Sequence, residues 1–458
     1  MTHDEATQSR ALSAEKSARY GTALRRWRVA SCLAAAAAVA ACGSTSDSTD
    51  AGTTPLPGSP SSSTGADASD NAGDGATGSS PPSNPAATEG DAASPQGDAT
   101  AEGGSAADSG PQTPDASVGP PPFVATGAPI TAADGAWTWV GFPDSFCRDG
   151  STAGIAVSLE SASNKVMIYI EGGGACFDSI TCLANPANTS GQQAEKTAGV
   201  FDRTNAANPV KDWNFVYVPY CTGDIGAGAN PNGTVSGVTG TQMFVGRPNL
   251  EAFLNRVVPT FPNATNVLLT GVSAGGFGAA TNVPLVQSAF PAVKINLIDD
   301  SGPPMSSQYL PSCLQKEWST TWGFENSFLK DCGAACPNPD DYVLDYAKFI
   351  GKNYSDRMAG LLESDTDAVI SAFYGYGNDN CTGSLLTPIA GATYTAALVD
   401  FRTQIMGVDP NFGTYYPDSS QHTWLGDSSL YSETQGGTTL ISWVSNIVND
   451  VSVSNVGP

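Results

Sequence analysis

From residue 123 onward the chain alternates between two hydrophobic rhythms. Short runs rich in β-branched and aromatic residues read as strands: Trp137–Phe142, Gly154–Leu159, Lys165–Ile170, Asn214–Val218, Asn266–Gly271 and Val293–Ile298. Between the fourth and fifth of these, Leu250, Phe253, Leu254 and Val257 recur at helical spacing within Asn249–Phe261. A helix is expected from Ser273 to about Phe290, and Leu440–Val448 reads as a closing helix. The continuous apolar run Ala368–Tyr376 reads as a late strand. Strands that are apolar at nearly every position are buried on both faces. Their alternation with helices therefore predicts an α/β fold, a mostly parallel sheet flanked by helices. From Gln308 to about Asp365 the rhythm breaks, and this cysteine-containing stretch is expected to form an inserted helical cap, about residues 305–366.

The first 122 residues have no such rhythm. A basic cluster, Arg25, Arg26 and Arg28, precedes the apolar run Val29–Ala41, which is short for a membrane span and has the layout of a secretory signal. The run ends in Val39-Ala40-Ala41-Cys42, which resembles a bacterial lipobox and makes Cys42 the expected lipidation site of an exported lipoprotein; plain secretion is the alternative. Residues 43–122 are mostly Ser, Thr, Gly, Ala, Asp and Pro without Lys or Arg, a composition that cannot bury a core and is expected to act as a disordered acidic tether. The expected organisation is thus a signal over 1–42, a linker over 43–122 and one catalytic domain over 123–458.

The formal charge of −24 excludes a polyanion as the natural partner, because nucleic-acid affinity comes from clustered Lys and Arg displacing counterions. Membrane contact is expected only through the lipid anchor, and the domain is expected to be a monomer. Of the 10 cysteines, setting aside Cys32 in the signal and Cys42 leaves Cys147, Cys176, Cys182, Cys221, Cys313, Cys332, Cys336 and Cys381. An even set in an exported domain reads as disulfides, with Cys176–Cys182 and Cys332–Cys336 close enough for local loops. With 2 histidines in the whole chain and no paired CxxC spacing, no metal site is expected.

The strongest chemical signal is Gly271-Val272-Ser273-Ala274-Gly275-Gly276, a G-x-S-x-G pattern between a strand and a helix. Small residues two positions either side let a serine sit on a strained turn with its hydroxyl raised at the sheet edge. Serine is a weak nucleophile at neutral pH and needs an imidazole to take its proton. His3 lies in the expected signal, so His422 is the one base the mature domain offers, and it follows Ser273 as the Ser…Asp…His order of α/β-hydrolases requires. The glycines after the strand ending at Ile170 place Gly173 and Gly174, with Ala274, as the expected oxyanion donors. The acid belongs after a late strand. Asp379, beyond the run ending at Tyr376, is therefore expected to orient His422, with Asp300 as the alternative.

These blocks resemble the pectin acetylesterase and Notum family of α/β-hydrolases. The likeness rests on Tyr169-Ile170-Glu171-Gly172-Gly173-Gly174 with Cys176, on Asp212-Trp213-Asn214 and Val218-Pro219-Tyr220-Cys221-Thr222-Gly223-Asp224, on Gly271–Gly276, and on Asp300-Ser301-Gly302. The resemblance implies a Ser-His-Asp esterase without cofactor, mapped onto Ser273, His422 and Asp379. Ala175 departs from it, standing where many relatives carry a bulky aromatic. The expected substrate is an O-acetylated, pectin-like polysaccharide. The alternatives are a long-acyl, lipase-like or Notum-like carboxylesterase and a catalytically silent, surface-anchored binding protein. Tyr220, Tyr374, Tyr376 and Trp424 are candidates to line a sugar cleft.

Overall fold

The computed structural model describes residues 119–458, apart from 191, 193–194 and 383–386. The expected signal, Cys42 and nearly all of the expected tether lie outside the described residues. Among the described residues twelve strands follow in chain order: β1 (Trp137–Phe146), β2 (Thr152–Ser158), β3 (Lys165–Ile170), β4 (Asn214–Val218), β5 (Asn230–Gly233), β6 (Gln242–Phe244), β7 (Asn266–Val272), β8 (Ile295–Asp300), β9 (Ala359–Leu362), β10 (Phe412–Tyr415) and the short pair β11 (Thr434–Gln435) and β12 (Thr438–Thr439). Eight of them form one sheet in the order β1-β2-β4-β3-β7-β8-β9-β10, while β5 and β6 pair separately. β1, β2 and β4 pair antiparallel, and every pairing from β4 through β3 to β10 is parallel. This is the α/β-hydrolase-like sheet that the alternating rhythm predicted.

The strands are apolar at nearly every position because both faces are covered. Val166, Ile168 and Ile170 of β3 point into a core shared with Leu250, Phe253, Leu254 and Val257 of the helix Gly246–Thr260. Met167 and Tyr169 point the other way, into a core with Trp443, Val444 and Ile447 of the closing helix Leu440–Val448. Period-two alternation along β3 thus feeds two cores.

Two expectations need correction. Ala368–Tyr376 is not a strand: Ile370–Gly375 is a short helix whose apolar residues are buried beneath the cap side. An unbroken apolar run suits a buried helix as well as a buried strand, and here tertiary packing chose the helix. The interval 305–366 also holds more than a cap. Helices Ser312–Trp322, Phe328–Cys332 and Val343–Asn353 fill most of it, but Ala359–Leu362 returns to the sheet as β9 between β8 and β10. The eight cysteines of the domain pair as Cys147–Cys221, Cys176–Cys182, Cys313–Cys381 and Cys332–Cys336.

Candidate active site

All the candidate groups except Asp379 gather at the C-terminal ends of the central parallel strands. β7 ends at Val272, and Ser273 follows at φ 56° and ψ −126°, a conformation that costs a β-carbon-bearing residue energy and marks functional turns. The turn holds because its neighbours lack side chains. A Cβ on Gly271 would overlap the Gly275 carbonyl, and one on Gly275 would overlap the Ile170 carbonyl at the end of β3. The Ser273 N–H donates to the Asp300 carbonyl at 2.7 Å, tying the turn to the end of β8. The helix Ala274–Thr281 starts at once, so the Ala274 N–H is a first-turn donor that no intrahelical carbonyl takes up.

The glycine loop after β3 lies against this turn: a Cβ on Gly172 would come within 2.8 Å of the Ser273 Cβ. Its carbonyls are pinned from outside. Asn185 Nδ2 donates to the Gly173 oxygen at 2.7 Å, and the Tyr220 hydroxyl donates to the Gly174 oxygen at 2.8 Å while accepting the Ile225 N–H at 2.9 Å. In a trans peptide the N–H points opposite to the preceding C=O. The pins therefore turn the Gly174 and Ala175 N–H groups away from Asn185 and Tyr220, and among the described residues neither N–H has a protein partner.

His422 sits on the loop after β10. Its Nδ1 lies 2.8 Å from Asp367 Oδ2, which assigns the Nδ1 proton to that bond and leaves Nε2 as the free acceptor. Asp367 is fully buried and its Oδ1 accepts the N–H groups of Val369 and Ile370 at 2.7 and 2.8 Å. The structure thus brings Asp367 to the imidazole, and not Asp379. Asp379 ends the short 3-10 turn Tyr376–Asp379 on the surface, because the helix that replaces the expected strand carries the chain away from the sheet edge. Its carbonyl accepts from Thr382, and among the described residues its carboxylate meets no hydrogen-bond donor.

Asp300, the alternative acid, anchors the histidine loop instead. Its Oδ2 accepts the N–H groups of Trp424 and Leu425, each at 2.7 Å, and Ser301 Oγ accepts the Thr423 N–H at 3.2 Å. The same residue therefore holds the serine turn through its carbonyl and the histidine loop through its carboxylate. Burial pushes the Asp300 carboxyl up to about 6, against the pull of the Leu425 and Trp424 N–H groups, the Ser301 hydroxyl and His422. Glu171, at the head of the glycine loop, is pushed up to about 7 by burial, with Lys196 pulling the other way. Tyr220, Tyr374, Tyr376 and Trp424 are all buried, so they pack and do not line an open cleft.

The pectinacetylesterase family profile matches residues 140–330, a stretch that contains the glycine loop and the serine turn; Asp367 and His422 lie beyond it. The palmitoleoyl-protein carboxylesterases notum1 and notum2 of Xenopus laevis are 29% and 30% identical to the chain over 172 and 171 residues, in each case 34% of this chain and 34% of the relative. The human enzyme of the same description is 26% identical over 172 residues. The chain thus spans only 34% of the length of these curated relatives. The crystal structure of the Drosophila Wnt deacylase Notum superposes with a TM-score of 0.54 at 17% identity, over 69% of this chain and 94% of that one, and shows the shared fold. Motif blocks, family profile and relatives agree: residues 140–330 match the pectinacetylesterase family, and the chain resembles the pectin acetylesterases and Notum.

Proposed function

We propose that this protein is an exported serine esterase that removes short acyl groups, acetyl foremost, from an acylated polysaccharide of the pectin type. The observation that carries the reading is the 2.8 Å contact between His422 Nδ1 and Asp367 Oδ2 on the sheet edge that also bears the Ser273 turn. His422 Nε2 takes the Ser273 proton as the hydroxyl attacks the ester carbonyl. The resulting oxyanion is held by backbone N–H groups, and His422 then passes the proton to the departing alcohol. Water repeats the cycle on the acyl-enzyme. Asp367 fixes the imidazole tautomer and balances the imidazolium charge. The carbonyl pins on Gly173 and Gly174 move the loop donors one residue along from the expected pair, to Gly174 and Ala175, with Ala274 as the third. Four disulfides fit an oxidising compartment, and Cys42 is the proposed lipid attachment.

Support for a short acyl group comes from the bulky side chains that follow the glycine loop. Phe177 stands edge-on to Tyr376 at 5.0 Å between ring centres, with Phe373 and Trp318 next to it, all buried. A larger apolar cavity lies behind the helix Ala274–Thr281, between Phe277, Leu297, Phe328 and Tyr346, but neither Ser273, His422 nor the glycine loop forms part of its wall. The separation of this cavity from Ser273 supports a short acyl group at the serine. The second reading, a long-acyl deacylase, draws on the palmitoleoyl-protein carboxylesterases among the relatives. A panel of p-nitrophenyl esters from acetate to palmitate separates the two, with Ser273→Ala as the inactive control. Acetate and butyrate are expected to turn over fastest; a maximum at dodecanoate or longer overturns the short-acyl assignment.

A further inference from the structure

The loop that supplies Asp367 carries a second acid that the mechanism above does not use. Glu363 directly follows β9, is fully buried, and stands four residues before Asp367, where the Asp367 N–H closes a turn on the Ser364 carbonyl. Its Oε1 accepts the Tyr394 hydroxyl at 3.1 Å. Its Oε2 is buried and meets no N–H or hydroxyl, and the Asp367 carboxyl is the neighbour that, after burial itself, pushes the Glu363 carboxyl up most. Two fully buried carboxyls four residues apart on one loop repel each other when both are ionised, which favours a proton on one of them that it can offer to the other. The partners decide which. Asp367 accepts from three donors, the N–H groups of Val369 and Ile370 and His422 Nδ1, whereas Glu363 accepts from one.

Resting on the Ser273–His422 reading, we propose that Glu363 is a positioning residue that donates a carboxyl O–H to Asp367, fixing that carboxylate and its charge behind His422. The result is a buried chain in which Tyr394 donates to Glu363, Glu363 to Asp367, and His422 to Asp367 from the other side. The titratable groups facing Glu363 are Asp367 from its own loop, Asp300 from β8, Tyr394 from the helix Gly391–Met406, Tyr374 from the helix Ile370–Gly375, and Tyr416 beyond β10. Those facing His422 are Asp367 and Asp300. An ionised Glu363 would add a further negative charge to this group and strengthen the hold of the imidazole on its proton. A neutral one adds no such charge beside the imidazole. Burial, together with the charge of Asp367, pushes the Glu363 carboxyl well above the usual carboxylate range.

The test is the pH dependence of kcat/KM for p-nitrophenyl acetate in two variants of the full chain, with fluorophosphonate labelling of Ser273 measured alongside. Glu363→Gln keeps the shape, the donor and the acceptor but can never ionise. It is expected to stay within about twofold of wild type with its acid limb unmoved. Glu363→Leu removes the donor. It is expected to lower kcat by about tenfold, the scale of one lost hydrogen bond to a charged group, and to raise the acid limb, with KM nearly unchanged. A Gln variant whose acid limb moves down shows that the native glutamate is charged and overturns the proposal. So does a folded, labelled Leu variant with the wild-type profile. Wild-type protein that takes no label overturns this proposal and the esterase reading together, whereas normal labelling with a shifted Gln profile overturns only the role of Glu363.

Discussion

The two walls of the site are built by opposite means. The wall formed by β3 and β7 is positioned by the absence of side chains: Gly172, Gly271 and Gly275 let the glycine loop, the serine turn and the end of β3 approach to distances that a Cβ would forbid. The wall formed by the loops after β8, β9 and β10 is positioned by buried carboxyls. Asp300 holds the N–H groups of Trp424 and Leu425, and Asp367 holds those of Val369 and Ile370 together with His422. The first wall is a steric construction, although Glu171 at the head of its glycine loop is pushed up to about 7 by burial. The second is electrostatic, and its geometry depends on which acids carry protons. A hydrolase that pairs a rigid nucleophile with a charge-held base can therefore change its working pH by altering acids behind the histidine loop, without touching the serine turn.

The sharpest way to break this contrast is to compare the two candidate acids. Asp367→Asn should lower kcat by about 10⁴-fold, the scale seen when the residue that orients a catalytic histidine loses its charge. Asp379→Asn, on the surface, should stay within about twofold of wild type; the reverse ranking in ester hydrolysis assays would return the acid to Asp379. On the steric wall, Tyr220→Phe removes the hydroxyl that pins the Gly174 carbonyl. It should lower kcat about tenfold with KM nearly unchanged, because a backbone donor to the oxyanion matters most in the transition state. An equal rise in KM would assign Tyr220 to substrate binding.

The smallest effect concerns stability. The Asp300 carboxyl, pushed up to about 6 in the fold, titrates well below that in the unfolded chain. The folded state then binds more protons between about pH 4 and 6, so the stability this group contributes is present at about pH 4 and is lost as pH rises through 6. Asp300→Asn cannot ionise and should flatten the fall by one group's share, read from urea unfolding midpoints across that range. A slope identical to wild type would show that Asp300 does not titrate there.

The difference between the walls also explains what could be read from sequence. The serine turn needs glycines at fixed offsets next to an apolar strand, a purely local constraint visible in Gly271–Gly276. His422 emerged by counting histidines. The acid wall depends on which strand precedes which loop, and β9 hides. Ala359-Gly360-Leu361-Leu362 is four residues long with no β-branched residue, whereas the helical Ala368–Tyr376 has the apolar run of a buried strand. Asp367, the proposed acid, comes five residues after Leu362, on the loop that follows a late strand of the sheet. A helix-start signal was available: an Asp whose side chain takes up N–H groups two and three residues on, before an apolar run, commonly opens a helix. The aromatic residues expected in a cleft failed for another reason, because burial of Tyr374, Tyr376 and Trp424 depends on the cap and the histidine loop closing over them.

The account stands on proton transfer from Ser273 to His422, and the rate of phosphonylation by a fluorophosphonate reports it directly. One label per chain, mapped by peptide mass spectrometry to Ser273 and slowed by at least about 10³-fold in His422→Ala, is the predicted result. A label on any other residue, or a His422→Ala variant that reacts at the wild-type rate, contradicts it.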